Sequence, residues 1–237
     1  MPPLLNGCSY GAAWTSFPGI NISIGGGSFY RSVRTTMEFC ATFGNPSAVL
    51  IPITFIGRDE YITTGGADRL IEGPYTESNS TEELRLLNIA FQMLDPIDYA
   101  AHDKFYVGIA MFSSWLEQQQ IPYLMWNQCN KLEREHALDR HAVNKLKYVT
   151  ENKNIIDIFD FCANEYIHQN GGQLDDASTN IPQYTHYTAP EYSTILAPFL
   201  NNYIQENNID IPDLTERANP MALAELPDPV MHAWHKT

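Results

Sequence analysis

Basic residues are scarce in this chain. Lys and Arg number 14 against 28 Asp and Glu in 237 residues, a formal net charge of −14. A nucleic-acid groove needs clustered cations, so this balance argues against a nucleic-acid partner and against docking on an anionic membrane surface. Cysteine is also sparse. Cys8, Cys40, Cys129 and Cys162 stand far apart, with no Cys-x-x-Cys or Cys/His ligand spacing of the zinc type. Two disulfides are allowed by number alone, and reduced thiols are the expectation. No apolar run reaches membrane-spanning length, and no basic-then-apolar signal segment opens the chain. The expected location is cytoplasmic, the host cytoplasm if the source is viral. Neither a Gly-x-Gly-x-x-Gly motif nor a P-loop lysine occurs, which removes the usual phosphate cradles of nucleotide cofactors. No cofactor and no metal are expected.

What is present is enough apolar material for a proper core, 44% of the residues, in a length that suits one large domain. Leu4-Leu5 reads as the tail of a first strand and 21–24 as a second short strand ended by Gly25-Gly26-Gly27-Ser28. A helix is expected over 32–43, closed by Gly44-Asn45-Pro46. The continuous apolar run 48–54 has the β-branched content of a buried parallel strand, with Pro52 marking a bend or an end. Residues 57–80, polar and rich in Gly, Ser and Thr, read as a long loop excursion. Helices are expected over 81–94, 104–119, 155–168 and 190–206, a strand over 121–126, and a charged, helix-compatible stretch over 131–148. Trp115 and Phe105 at helical spacing read as core, and the Glu133/Arg134/Glu135/Arg140 cluster as a solvated helix face.

Strands alternating with helices imply a parallel sheet covered on both faces. The expected fold is an α/β protein, a flavodoxin-like three-layer α/β/α sandwich with about five strands. It occupies 1–209, with 210–237 as an extended C-terminal arm that either stays free of the core or joins a second copy into a homo-oligomer. His232 and His235 on that arm have no nearby cysteine to complete a metal site, and Asp228 with His232 is a remote acid–base pair.

Sites in such folds lie at the carboxyl ends of strands. Ser9 follows the first strand in Asn6-Gly7-Cys8-Ser9-Tyr10-Gly11, a small-residue turn that leads into the helix-compatible Ala12-Ala13-Trp14. Strand, sharp turn, serine and helix is how α/β hydrolases mount a nucleophile, and the helix end supplies N–H groups for a developing oxyanion. The other use of such a serine is a helix N-cap. The Gly25–Gly27 loop and Thr54 stand at strand ends too, so three unconnected segments converge on one edge.

The ordered set of blocks resembles the SGNH/GDSL hydrolases, and in particular their divergent phage and bacterial branch that begins Asn-Gly-Cys-Ser. Asn6-Gly7-Cys8-Ser9-Tyr10 matches the first block, and Gly26 in Asn21–Ser28 is the match to the oxyanion glycine of the second. Thr54-Phe55-Ile56-Gly57-Arg58-Asp59-Glu60 is similar to the third block, and His186-Tyr187-Thr188-Ala189-Pro190-Glu191-Tyr192 to the last, over residues 3–206 in the right order. The resemblance implies acyl transfer from an ester, with a glycan ester or another small acyl ester as substrate. Ser9 would attack the carbonyl, and His186 would take the proton and return it to the leaving alcohol. The N–H groups of Ser9 and Gly26 would hold the oxyanion with the Thr54 hydroxyl as a third donor, and Arg58 would contact substrate unless it pairs with a surface acid.

This chain departs from the family where the orienting carboxylate belongs. Gln183 and Tyr184 occupy the positions before His186 that usually hold Asp. Asp176, or Asp175 beside it, would serve only if the intervening loop folds back. A competing reading is a degenerate relative, a binding or structural module of a virus that kept the sheet and lost the machinery. On that reading Ser9 and His186 cap or pack.

Overall fold

The computed structural model describes residues 1–23, 28–54, 59–62, 68–71, 99–129, 148–173 and 187–215. Its centre is a four-stranded parallel sheet built from β1 (Leu4–Leu5), β2 (Ile20–Asn21), β3 (Val49–Ile53) and β6 (Tyr123–Asn127), in the order β2-β1-β3-β6. These strands read as near-unbroken apolar runs because both faces are covered. Leu4, Val49, Ile51, Tyr123 and Met125 pack against α2 (Phe29–Phe43) and α3 (Tyr99–Gln118). Leu5, Leu50, Leu124 and Trp126 face the other way. They pack against Trp14 and Phe17, which follow α1 (Ser9–Ala13), against α4 (Ala163–Gln169), and against the C-terminal helices. Strict alternation along each strand therefore builds two cores, giving a helix–sheet–helix arrangement.

Pro52 stands inside β3, paired with Trp126, and the strand ends one residue later at Ile53, so the run does end near the proline as expected. The Asn6 N–H on the β1 side bonds the Leu50 carbonyl. By the two-residue period, the Pro52 nitrogen faces that same side, beyond Leu5 where β1 has ended. The missing donor therefore costs the ladder little.

Four differences from the sequence reading have identifiable causes. Inside the polar excursion, β4 (Asp59–Ile62) and β5 (Asp68–Ile71) form an antiparallel pair, expected instead as loop. The Gly65-Gly66 dipeptide between them is a hairpin-type turn signal. The helix expected over 155–168 begins only at Ala163. Ile155 makes a parallel bridge to Met125, and the Asp157 carboxylate accepts from the N–H groups of Phe159 and Asp160, turning the chain before it can coil. The last helix is composite: α5 (Ala189–Glu191), a π-helical turn (Tyr192–Leu196) and α6 (Ala197–Glu206). Pro198 has no N–H for the Thr194 carbonyl, which relaxes the ladder at that turn. Finally, the arm does not leave the core at Ile209. Ile209, Ile211 and Leu214 are buried in the second core, and Asn201 holds this segment through Asp213 and the Leu214 N–H.

Residues 81–94, 131–147 and 216–237 lie outside the described residues, and with them the expected helices there and most of the arm. Among the described residues no helix is long and apolar enough to cross a membrane.

Candidate active site

The strand order carries the first clue. β1 connects through α1 to β2 on one side, and the chain then crosses through α2 to β3 on the other. The two connections lie on opposite faces, since Trp14 belongs to one core and Phe29 to the other. The carboxyl ends of β1 and β3 therefore flank a topological switch point, where open α/β sheets form their crevice. Ser9 opens α1 just past the end of β1, and Thr54, buried, follows β3 directly.

The turn that delivers Ser9 is held from several sides. The Asn6 side chain, fully buried, reaches across to α2, where its amide nitrogen donates to Ser32 O (2.9 Å), Thr35 Oγ1 (2.8 Å) and Thr36 Oγ1 (2.9 Å). Among the described residues its own carbonyl oxygen has no hydrogen-bond partner. The Gly7 N–H donates to Ser23 Oγ at 2.9 Å. A Cβ on Gly7 would come within 2.5 Å of Pro52 Cγ, and one on Gly11 within 2.5 Å of Ser23 Oγ. Both glycines are thus required by close approach, which explains the small-residue composition of the motif. Asn6→Ala is expected to cost about 2 kcal/mol of stability, read as a lower urea midpoint. Asn6→Asp should cost more, because a buried carboxylate offers no proton to these acceptors.

Beside this turn lies a buried set of thiols and phenols. Cys8 and Cys129 pack on each other, and all four cysteines are buried thiols outside any disulfide. The Cys162 thiol donates to the carbonyls of Cys129 (3.1 Å) and Gln128 (3.5 Å), just past the end of β6. Tyr192, 1% exposed, stacks on Trp14 at 6.0 Å. Burial above all, and then the neighbouring Cys8 and Cys129 thiols, hold its phenol well above the ordinary tyrosine range. Tyr187 is pushed up to about 12, first by burial and then by Cys162. Neither phenol ionises near neutrality, so these groups can shape the site but not exchange protons as bases.

Ser9 and Thr54 thus stand at adjacent strand ends. Gly26, Arg58, Asp175, Asp176 and His186 lie outside the described residues. The residue after His186 is nonetheless placed: Tyr187 lies by the Cys162 thiol at the carboxyl edge of the sheet. Phe29, directly after the Gly25–Ser28 turn in the sequence, belongs to the core against Phe105 and Phe112. Ser28 caps α2 by accepting from the Arg31 N–H.

Sequence reasoning missed the polar chain beyond β6. The Trp126 indole donates to Gln128 Oε1 and Gln128 Nε2 to Asn164 Oδ1, each at 2.8 Å, while Asn127 Nδ2 donates to Ile158 O at 3.1 Å. The available signal was Asn127-Gln128 standing directly after an apolar strand. Comparison with protein-family models, curated proteins and solved structures finds no match to this chain.

Proposed function

We propose that this chain is a serine ester hydrolase of the SGNH/GDSL type, in which Ser9 is the nucleophile and His186 the general base. The observation that carries the reading is the meeting of two distant segments. Tyr192 stacks on Trp14, which ends the helix that Ser9 opens, and Tyr187, the residue after His186, is buried in the same core. Ser16 and Ser193 hydroxyls, 2.6 Å apart, tie the end of the α1 segment to the same π-helical turn. The described segment that follows His186, from Tyr187 on, therefore packs beside the segment that Ser9 opens.

The finer fold assignment agrees with this reading. Numbered along the chain without the hairpin, the four parallel strands and the isolated Met125–Ile155 bridge beyond β6 follow the order 2-1-3-4-5 of flavodoxin-like sheets. In the proposed reaction Ser9 Oγ attacks the ester carbonyl and His186 accepts its proton. The tetrahedral oxyanion is received by the Ser9 and Gly26 N–H groups and the Thr54 hydroxyl, and the imidazolium then protonates the leaving alcohol. Water repeats the cycle on the acyl-enzyme. Asp176 is the candidate to orient the imidazole, and Arg58 the candidate to contact the substrate, for which the family resemblance points to an ester on a carbohydrate.

Gln183 and Tyr184 before His186 favour a second reading, a catalytically degenerate binding or structural module. Hydrolysis of p-nitrophenyl acetate by the purified chain, blocked stoichiometrically by a fluorophosphonate, is the expected outcome for the enzyme. Folded protein without turnover and without inhibition supports the module.

A further inference from the structure

Between β1 and β2 the parallel ladder runs regularly and then changes. The Ile20 N–H bonds the Pro3 carbonyl and the Ile22 N–H bonds the Leu5 carbonyl. In the register Leu4↔Ile20 and Leu5↔Asn21, the next rung would take the Gly7 N–H to the Ile22 carbonyl. Instead the Gly7 N–H goes to the Ser23 hydroxyl at 2.9 Å. A side chain has replaced a rung at the point where the two chains part. One continues into the Ser9 turn, and the other continues toward Gly26, three positions on in the sequence.

Ser23 is itself fixed. It is 4% exposed, and its N–H donates to Asn21 Oδ1 at 3.1 Å. The Asn21 amide in turn donates to Gly11 O (2.9 Å) and Trp14 O (3.2 Å), gripping α1 and the residue that ends it. The lack of a Cβ on Gly11 lets the Ser23 hydroxyl sit against the helix that Ser9 opens. Asn21 and Ser23 thus clamp both the entry and the exit of the short segment 7–14, while the paired strands before it are aligned by backbone bonds alone.

We propose that Ser23 is a positioning residue for acyl transfer, its hydroxyl holding the turn that delivers Ser9 through the Gly7 N–H. This rests on the esterase reading above. Ser23 does not touch the reacting atoms. It acts through Gly7, and its loss lets the nucleophile turn shift, an error felt in the transition state more than in substrate binding.

The test measures kcat and KM on p-nitrophenyl acetate, fluorophosphonate labelling rate and thermal midpoint for the full chain and three variants. Ser23→Ala removes the acceptor, Ser23→Thr keeps it, and Ile22→Val trims the adjacent buried residue without touching the clamp. The expected result for Ser23→Ala is a fall in kcat and labelling rate of about 10- to 100-fold with KM within about twofold. Ile22→Val should stay within about twofold of the parent, and Ser23→Thr should recover most of the loss. Ser23→Ala that turns over like Ile22→Val overturns the inference and leaves the esterase reading standing. A Ser23→Ala protein that does not fold assigns the hydroxyl to stability and overturns it too. A parent chain that neither hydrolyses the ester nor takes the label sinks the esterase reading, and the role of Ser23 falls with it.

Discussion

Ser9→Ala is expected to lower kcat on an aryl ester by about four to six orders of magnitude, the range seen when a serine hydrolase loses its nucleophile. The thermal midpoint should hardly move. Ser9 opens a five-residue helix whose cap position is Cys8, and Cys8 makes no side-chain cap bond there. If Ser9 serves only local structure, its replacement leaves turnover unchanged. The pH profile offers a second check on the same chemistry. With His186 as base, kcat/KM should rise with pH as the imidazole gives up its proton. Tyr187 and Tyr192 cannot produce that limb, because burial holds both phenols far above neutrality.

Gly7→Ala should be among the most damaging single changes in the core. Its Cβ would stand 2.5 Å from Pro52 Cγ, 3.1 Å from Pro52 Cδ and 3.2 Å from the Pro52 carbonyl oxygen. A proline ring inside a paired strand cannot swing aside as a flexible side chain would, so the turn must move. The expected loss is about 3 kcal/mol, at the upper end of ordinary overpacking, read as a fall in the urea midpoint with an unchanged slope. Activity in the folded fraction should fall as well, since the Gly7 N–H loses its alignment on Ser23. Pro52→Ala removes the two ring atoms nearest the clash. The double variant Gly7→Ala/Pro52→Ala should therefore recover a large part of the loss, a coupling that a double-mutant cycle reads directly. Additive effects would show that the close approach is not the cause.

The elements that sequence could reveal were those whose signal is local. Leu4-Leu5 and the apolar run 48–54 announce themselves as buried strands, and Gly44 closes α2 where a stop was expected. The Asn6–Gly11 turn was legible because its small residues answer to local crowding. Elements fixed from a distance were not. Residues 155–161 are apolar enough for a helix, yet Met125, thirty positions earlier, takes Ile155 as a bridge partner. Ile209, Ile211 and Leu214 lack helical spacing but fill the second core, because Asn201 on α6 anchors their backbone. Gln128 and Asn164 meet across 36 positions, a separation that no local pattern encodes. At the site, the place of Ser9 after β1 was legible, whereas the clamp through Ser23 and the thiol–phenol neighbourhood of Cys8 arise only when four segments come together.

The central claim, that Ser9 is a nucleophile, is tested most directly by locating a covalent adduct. The folded chain is incubated with a fluorophosphonate, digested and mapped by fragmentation mass spectrometry. One phosphonyl group per chain, attached at Ser9 and absent in Ser9→Ala, is the predicted result. A folded chain that carries no adduct, or carries it on another residue while Ser9 stays unmodified, would contradict the account.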